Sequence, residues 1–292
     1  MALPEPAPPA TVHELLLAAQ SRLRGGAAGI DSPRLDAEVL LAHALDRDRS
    51  HLLAHADAPV SSGVAQRFTA LIERRADGEP VAYLTGRREF WSLDFATGPE
   101  VLVPRPETEL VVERALALCR ASIADVADLG TGSGAIALAC AHDRPGWRLV
   151  ATDLSEAALA CAEGNAQRLR IDNVQFLQGR WCEPLGARRF DLVLSNPPYV
   201  AAGDPALGAL RFEPRGALES GPQGLDDLRA IITTASPHVK PGGALVLEHG
   251  ADQADRVAEM LVAAGFAHVV CHADLAGRPR VTEARGFIEE TS

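Results

Sequence analysis

Apolar residues recur at helical spacing through the first 80 residues, and a different rhythm takes over after Pro106. Thr11 and Glu14 form a capping-box pair, and Val12, Leu15, Leu16 and Leu23 follow on one face until Gly25–Gly26. Ser32–Pro33 places a cap and a first-turn proline ahead of Leu35, Val39, Leu40 and Ala44. A short segment around His51–His55 predicts a third helix. Ser62 opens a fourth, with Val64, Phe68, Leu71 and Ile72 on one face and a stop at Asp77–Gly78. Residues 1–78 are therefore expected to form a helical bundle without chemistry of its own. Its histidines (His13, His43, His51, His55) have no Cys or carboxylate at ligand spacing, and no metal site is expected.

Residues 79–103 change character. Phe90, Trp91 and Phe95 cluster before Val101-Leu102-Val103, a pattern that predicts a β-hairpin or extended linker. From there strands and helices alternate. A helix over Glu107–Ala121 comes first. Strands follow near 124–129, 148–153, 173–178, 190–195 and 243–248, with helices near 133–143, 155–169, 225–236 and 251–264. Two last strands, near 267–273 and 280–287, are joined only by a link containing Gly277 and Pro279, so they should pair antiparallel. The reading for residues 104–292 is an α/β domain with a mostly parallel sheet covered on both faces. Ligands of such sheets bind beyond the carboxyl ends of the strands.

Composition narrows the function classes. A chain of 292 residues, 47% hydrophobic and 23% charged, has length and apolar content for a real core. Its formal net charge of −11 argues against broad, sequence-independent binding of nucleic acid. No apolar run reaches the roughly 18 residues of a membrane span. Met1–Pro9 lacks the basic and apolar regions of a signal peptide, so a cytoplasmic location is expected. The five cysteines (Cys119, Cys140, Cys161, Cys182, Cys271) show no CxxC pairing and are expected to be reduced, structural thiols.

Three segments carry candidate chemistry. The first expected strand ends in Asp128-Leu129-Gly130-Thr131-Gly132-Ser133-Gly134, with a helix directly after. Glycines there permit a tight turn and close approach of a ligand to main chain, and the helix start offers free N–H groups. A turn alone also needs glycine. The next strand, however, ends at Asp153, 19 residues beyond Gly134, where a carboxylate can accept both hydroxyls of a ribose. The pair points to an adenosine-type cofactor. The third segment is Asn196-Pro197-Pro198-Tyr199, at the end of the strand Phe190–Ser195. Two prolines end the ladder and stiffen the backbone, so the carbonyls of Asn196 and Pro197 hold fixed directions. Asn196 adds a side-chain acceptor and Tyr199 a flat face. Such a group suits a planar –NH2 substrate whose two N–H bonds are accepted while one face stays open.

In this order and spacing, Gly130–Gly134, Asp153 and Asn196–Tyr199 resemble the class I S-adenosylmethionine-dependent methyltransferases that act on amino groups. Further motifs resemble one branch, the peptide-chain release factor glutamine methyltransferase family. They are Tyr83–Arg87, Glu89-Phe90, Val103–Glu109, Glu213-Pro214-Arg215 with Ala217-Leu218, Gly224-Leu225, Pro241–Gly243 and Gly277–Arg280. Together they span residues 10–290. The sister family acting on a large-subunit ribosomal protein carries Pro-Arg-Ser-Pro in place of the run from Pro104 to Glu109.

The resemblance implies a Rossmann-like fold with an N-terminal helical domain. It implies methyl transfer from S-adenosyl-L-methionine, with S-adenosyl-L-homocysteine as product, to the side-chain amide nitrogen of the glutamine in the Gly-Gly-Gln motif of release factors. Gly130, Thr131, Gly132, Ser133, Gly134, Asp153, Trp181 and Asn196 are the cofactor residues so implied. Asn196, Pro197 and Tyr199 are the catalytic ones, with Pro198, Phe90, Arg105 and Glu107 expected to shape the substrate site. Members often carry an acidic residue before the tryptophan, where this chain has Arg180. Release factors are the expected partner, with no membrane, no stable nucleic acid binding and a monomeric chain. Alternatives are the same chemistry on a ribosomal-protein glutamine, or adenine amino methylation of nucleic acid.

Overall fold

The computed structural model describes residues 10–27 and 30–287; the expectation for Met1–Pro9 lies outside them. The chain divides into two units, Met1–Gly86 with Gly208–Phe212, and Arg87–Leu207 with Glu213–Ser292.

The first unit contains helices α1 (Val12–Arg24), α2 (Pro33–Leu45), α3 (Arg49–Ala54), α4 (Ser62–Ala76) and α5 (Val81–Thr85). The capping box at Thr11 and Glu14 is formed in both directions. The Ser32 side chain, expected to cap α2, makes no such bond; Pro33 starts the helix without it. Leu23, Leu40, Leu41, Leu52, Phe68 and Ile72 fill a separate core. α5 was not foreseen: its five residues fall within the stretch read as hairpin or linker, and Gly86 ends it at φ +71°.

The second unit starts with a hairpin of β1 (Arg87–Phe90) and β2 (Leu93–Ala96). Trp91 and Ser92 turn it at φ +52° and +57°, and Glu109 accepts the Trp91 N–H at 2.8 Å. A 3₁₀ turn at Pro106–Thr108 leads into α6 (Glu109–Leu118). There follow β3 (Asp125–Leu129), α7 (Ala135–Asp143), β4 (Arg148–Asp153), α8 (Glu156–Leu169), β5 (Val174–Gln178) and β6 (Phe190–Ser195). After these come α9 (Ala206–Ala209), α10 (Asp226–Ala235), β7 (Val239–Glu248), α11 (Ala254–Ala263), β8 (Phe266–Ala273) and β9 (Pro279–Phe287).

The seven strands from β3 onward form one sheet in the order β5-β4-β3-β6-β7-β9-β8. β5, β4, β3, β6 and β7 run parallel, and β9 pairs antiparallel with both β7 and β8. β7 begins four residues earlier than its apolar run predicts. Its pairing with β6 jumps from Phe190↔Val239 to Leu192↔Ala244, so Pro241-Gly242-Gly243 sits in a bulge where proline and glycine are tolerated. Two apolar layers cover the sheet, one around Ile136, Leu138, Trp147 and Leu194, the other around Leu129, Val193, Ile231 and Leu245.

The order reverses direction between β3 and β6: from β3 the chain steps outward to β4 and β5, and from β6 to β7. Chains leaving neighbouring strands in opposite directions open a crevice at their carboxyl ends. The glycine-rich loop follows β3 and Asn-Pro-Pro-Tyr follows β6, so both border that crevice.

Candidate active site

The crevice holds a cavity of about 420 Å³ lined by Gly130–Ser133, Asp153, Trp181, Asn196, Pro198 and the run Pro104–Arg105 with Thr108. On the β3 side, the loop is fixed by its own backbone. The N–H groups of Gly130 and Thr131 both donate to the Thr152 carbonyl, at 2.8 and 2.9 Å. Gly130 sits at φ +72°, and a Cβ there would lie 2.8 Å from the Trp181 ring, so the loop and the tryptophan approach closely only through glycine. At Gly132, φ is +57° and nothing lies within 4 Å of a Cβ position; that face opens to the cavity.

Asp128 lies beneath the loop, fully buried. It accepts from Thr131 Oγ1 at 2.6 Å and from the Ala137 N–H at 3.2 Å. Burial pushes its carboxyl up to about 7. Sequence reading placed Asp128 in the motif without giving it a task; its task is to hold the loop from below.

Asp153, at the end of β4, has both oxygens steered. Oδ2 accepts from the Gly132 N–H and Oδ1 from the Ser155 N–H, each at 2.9 Å. Carboxylate oxygens have further lone pairs, so the group stays able to accept from hydroxyls. Trp181 is turned into the cavity by a left-handed backbone (φ +48°), and the Thr152 hydroxyl donates to its carbonyl. Its indole N–H is buried without a partner. Arg180 also lines the cavity and pairs with Asp227 at 3.1 Å.

On the β6 side, Asn196 Nδ2 donates to Thr108 Oγ1 at 2.9 Å, across 88 residues of sequence. That bond uses the amide's nitrogen end and leaves Oδ1 as the free end. Among the described residues, no donor reaches Asn196 Oδ1 or the Pro197 carbonyl. Tyr199 does not line the cavity. Its phenol donates to Glu248 Oε1 at 3.1 Å, and burial beside that carboxyl raises its pKa. Of the Asn-Pro-Pro-Tyr residues, Asn196 and Pro198 line the cavity, and Pro197 and Tyr199 do not.

The remaining expected residues divide. Arg105 lines the cavity and pairs with the buried Glu213 at 2.5 Å; Glu213 also accepts the Val103 N–H. That carboxylate ties the Pro104–Arg105 run to Pro214 and Gly216, which line the same cavity. Glu107 is exposed and outside the lining. Phe90 is 1% exposed and packs edge-on against Phe95 in the core, so it does not reach the site. Its motif position predicted a pocket residue; its place on the inner face of a hairpin makes it a core residue. Thr108 falls within the Val103–Glu109 motif without a task of its own and Glu248 within no motif, because nothing local marks them as partners of Asn196 and Tyr199.

Residues 14–86 match the model of the PrmC N-terminal domain, and residues 108–211 that of the methyltransferase small domain. The chain is 52% identical over 255 residues to the release factor glutamine methyltransferase of Xylella fastidiosa, covering 86% of this chain and 93% of that one. The chain belongs to the release factor glutamine methyltransferase family. The Burkholderia pseudomallei member is 48% identical over 287 residues, covering 95% of this chain and 96% of its own. The first family model falls in the helical unit and the second mostly in the sheet unit, and the Burkholderia match, over 95% of this chain, reaches both. Among solved structures, the T. thermophilus 16S rRNA N2 G1207 methyltransferase superposes with a TM-score of 0.53 at 20% identity, over 68% of this chain and 49% of that one. The hMettl16 catalytic domain does so with 0.57 at 15%, over 82% and 87%. These two likenesses concern the fold.

Among the described residues, no helix is long and apolar enough to cross a membrane.

Proposed function

We propose that this protein transfers a methyl group from S-adenosyl-L-methionine to the side-chain amide nitrogen of the glutamine in the Gly-Gly-Gln motif of peptide-chain release factors. The observation that carries the reading is the Asn196 carboxamide, held by Thr108 through its nitrogen so that its oxygen is left to accept, beside the stiff Pro197 carbonyl. The cavity fits the cofactor. Gly132 leaves an open cradle, Asp153 offers a steered carboxylate, and Trp181 supplies a ring wall with a buried, unpartnered N–H. Gly130–Ser133, Asp153 and Trp181 would hold it, whereas Gly134, expected with them, lies outside the lining against Leu138 and Ala162. When bound, it supplies an electrophilic methyl group on a sulfonium.

The chain's own residues meet the main obstacle, which is that an amide lone pair is delocalised into its carbonyl. Asn196 Oδ1 and the Pro197 carbonyl accept the two N–H bonds of the glutamine amide. Accepting both N–H bonds from one side would favour a nitrogen tilted away from planarity with its lone pair turned to the open face. The nitrogen becomes acidic only after it has been methylated, so no general base is required before transfer. Catalysis is then positioning and electrostatic stabilisation, in which a single placed hydrogen bond is worth on the order of 3 kcal/mol. Pro198 and the Pro104–Arg105 run wall the entrance to this spot, and the Glu213 carboxylate braces that wall.

Transfer of labelled methyl from S-adenosylmethionine to unmodified release factor tests the reading. Label should enter wild-type release factor and be absent when the Gly-Gly-Gln glutamine is replaced by alanine. Equal labelling of both, or labelling of RNA or DNA instead, contradicts it.

A further inference from the structure

Glu248 ends β7 on the far side of β6 from the glycine loop, is fully buried and lines no part of the cavity. A buried carboxyl is costly unless its oxygens are satisfied. Oε1 accepts from Tyr199. The Thr108 hydroxyl also attracts the carboxylate, though its geometry falls short of a full hydrogen bond, and Oε2 is left without a formed partner. Thr108 is 4% exposed and has one proton and two lone pairs to give. One lone pair receives Asn196 Nδ2. The charged acceptor available to its proton is Glu248.

We propose that Glu248 is a positioning residue for methyl transfer: one buried carboxyl that orients Asn196 through the Thr108 hydroxyl and anchors the Asn-Pro-Pro-Tyr turn through the Tyr199 phenol. The inference rests on the functional reading above and adds a residue to it. With Glu248 ionised, the Thr108 proton points to the carboxylate. The lone pairs of Thr108 then face Asn196, so the carboxamide keeps its nitrogen inward and its oxygen toward the substrate. With Glu248 protonated, its own proton competes for the Thr108 oxygen and the orientation of Asn196 loosens. The groups facing Glu248 are Glu107, which opposes its ionisation, Arg280, which favours it, and the two hydroxyls; Arg105 also acts on Tyr199. Burial outweighs them and brings its titration to about 7.

Steady-state kinetics with release factor, together with calorimetric titration of S-adenosylmethionine, test this on Glu248→Gln, Thr108→Val, Thr108→Ser and the Glu248→Gln/Thr108→Val double variant. Thr108→Val, which removes the acceptor of Asn196 Nδ2, should lower kcat by ~10-fold, the worth of one hydrogen bond, and Glu248→Gln, which keeps an acceptor but loses the charge, by a smaller factor, with cofactor affinity and KM unchanged in both. Thr108→Ser keeps the hydroxyl and should recover most of what Thr108→Val loses. In the double variant the loss of Glu248 should cost less than it does alone, because the part of its effect that passes through Thr108 is already gone. Wild-type kcat should rise with pH through an inflection near 7 that Glu248→Gln removes. Should Glu248→Gln fail to fold, the Thr108 pair tests the same link. Full kcat in Glu248→Gln, losses that add in the double variant, or an inflection that survives the substitution would each overturn the proposal. A wild type that binds S-adenosylmethionine yet leaves the glutamine unmodified overturns the functional reading instead.

Discussion

Asp128 and Glu248 are two fully buried carboxyls at strand ends on either side of β6, and burial brings both to about 7. Their partners differ in kind. Asp128 holds Thr131 and Ala137, three and nine residues further along, so it supports its own loop. Glu248 holds Tyr199 across 49 residues and acts on Thr108, which belongs to a turn preceding the whole sheet. One carboxyl stabilises a local shape, the glycine cradle. The other joins three distant segments around Asn196. The difference separates two tasks of the site, holding a cofactor and orienting an amide, and assigns them to opposite sides of β6.

The largest effect should come from Asn196→Ala. Turnover falls by ~100-fold or more, as for loss of one oxyanion-hole donor, while S-adenosylmethionine still binds in a calorimeter. Loss of cofactor binding with retained turnover would erase the division of tasks. Next is pH. In the unfolded chain Asp128 ionises near the ordinary 3.8, whereas in the folded chain it ionises near 7. Folding therefore disfavours the charged form. Its contribution is most favourable while the group is protonated in both states, and is lost as pH rises from about 4 through 7. Asp128→Asn lacks this penalty, so its stability relative to wild type should improve by about 2 kcal/mol between pH 5 and pH 8 in urea unfolding.

The sharpest form of the comparison is a crossed one. Asp128→Asn should weaken cofactor affinity by about 5-fold with kcat preserved at saturation, because it loosens the cradle. Glu248→Gln should do the reverse. The smallest effect is expected from Gly130→Ala. A methyl 2.8 Å from Trp181, at φ +72°, should cost about 1 kcal/mol in thermal or urea unfolding and loosen the cofactor wall.

What could be seen in the sequence follows the same line. The strands β3 to β9, the glycine loop, Asp153 and the Asn-Pro-Pro-Tyr turn are written in contiguous residues, and each was readable from periodicity or motif. β7 was read four residues short because a bulge around Pro241–Gly243 breaks the apolar pattern that marks a strand. Ser32 has the type of a cap but makes no cap bond. Phe90 shows the limit of reading a motif by position, since the hairpin turns its ring into the core. Thr108 and Glu248 are silent in sequence because their meaning is a meeting of segments 88 and 49 residues apart from their partners. Thr108 sits in a motif that does not name its partner, and Glu248 in none; their shared burial is a property of the fold.

Tandem mass spectrometry of release factor after incubation with this protein and S-adenosylmethionine tests the central claim most directly. A gain of one methyl group (~14 Da), located by fragmentation on the side-chain amide of the Gly-Gly-Gln glutamine, is the predicted result, at a site where two acceptors suit an amide –NH2. Methylation at any other residue, or none while cofactor binding is measured in the same sample, would contradict it.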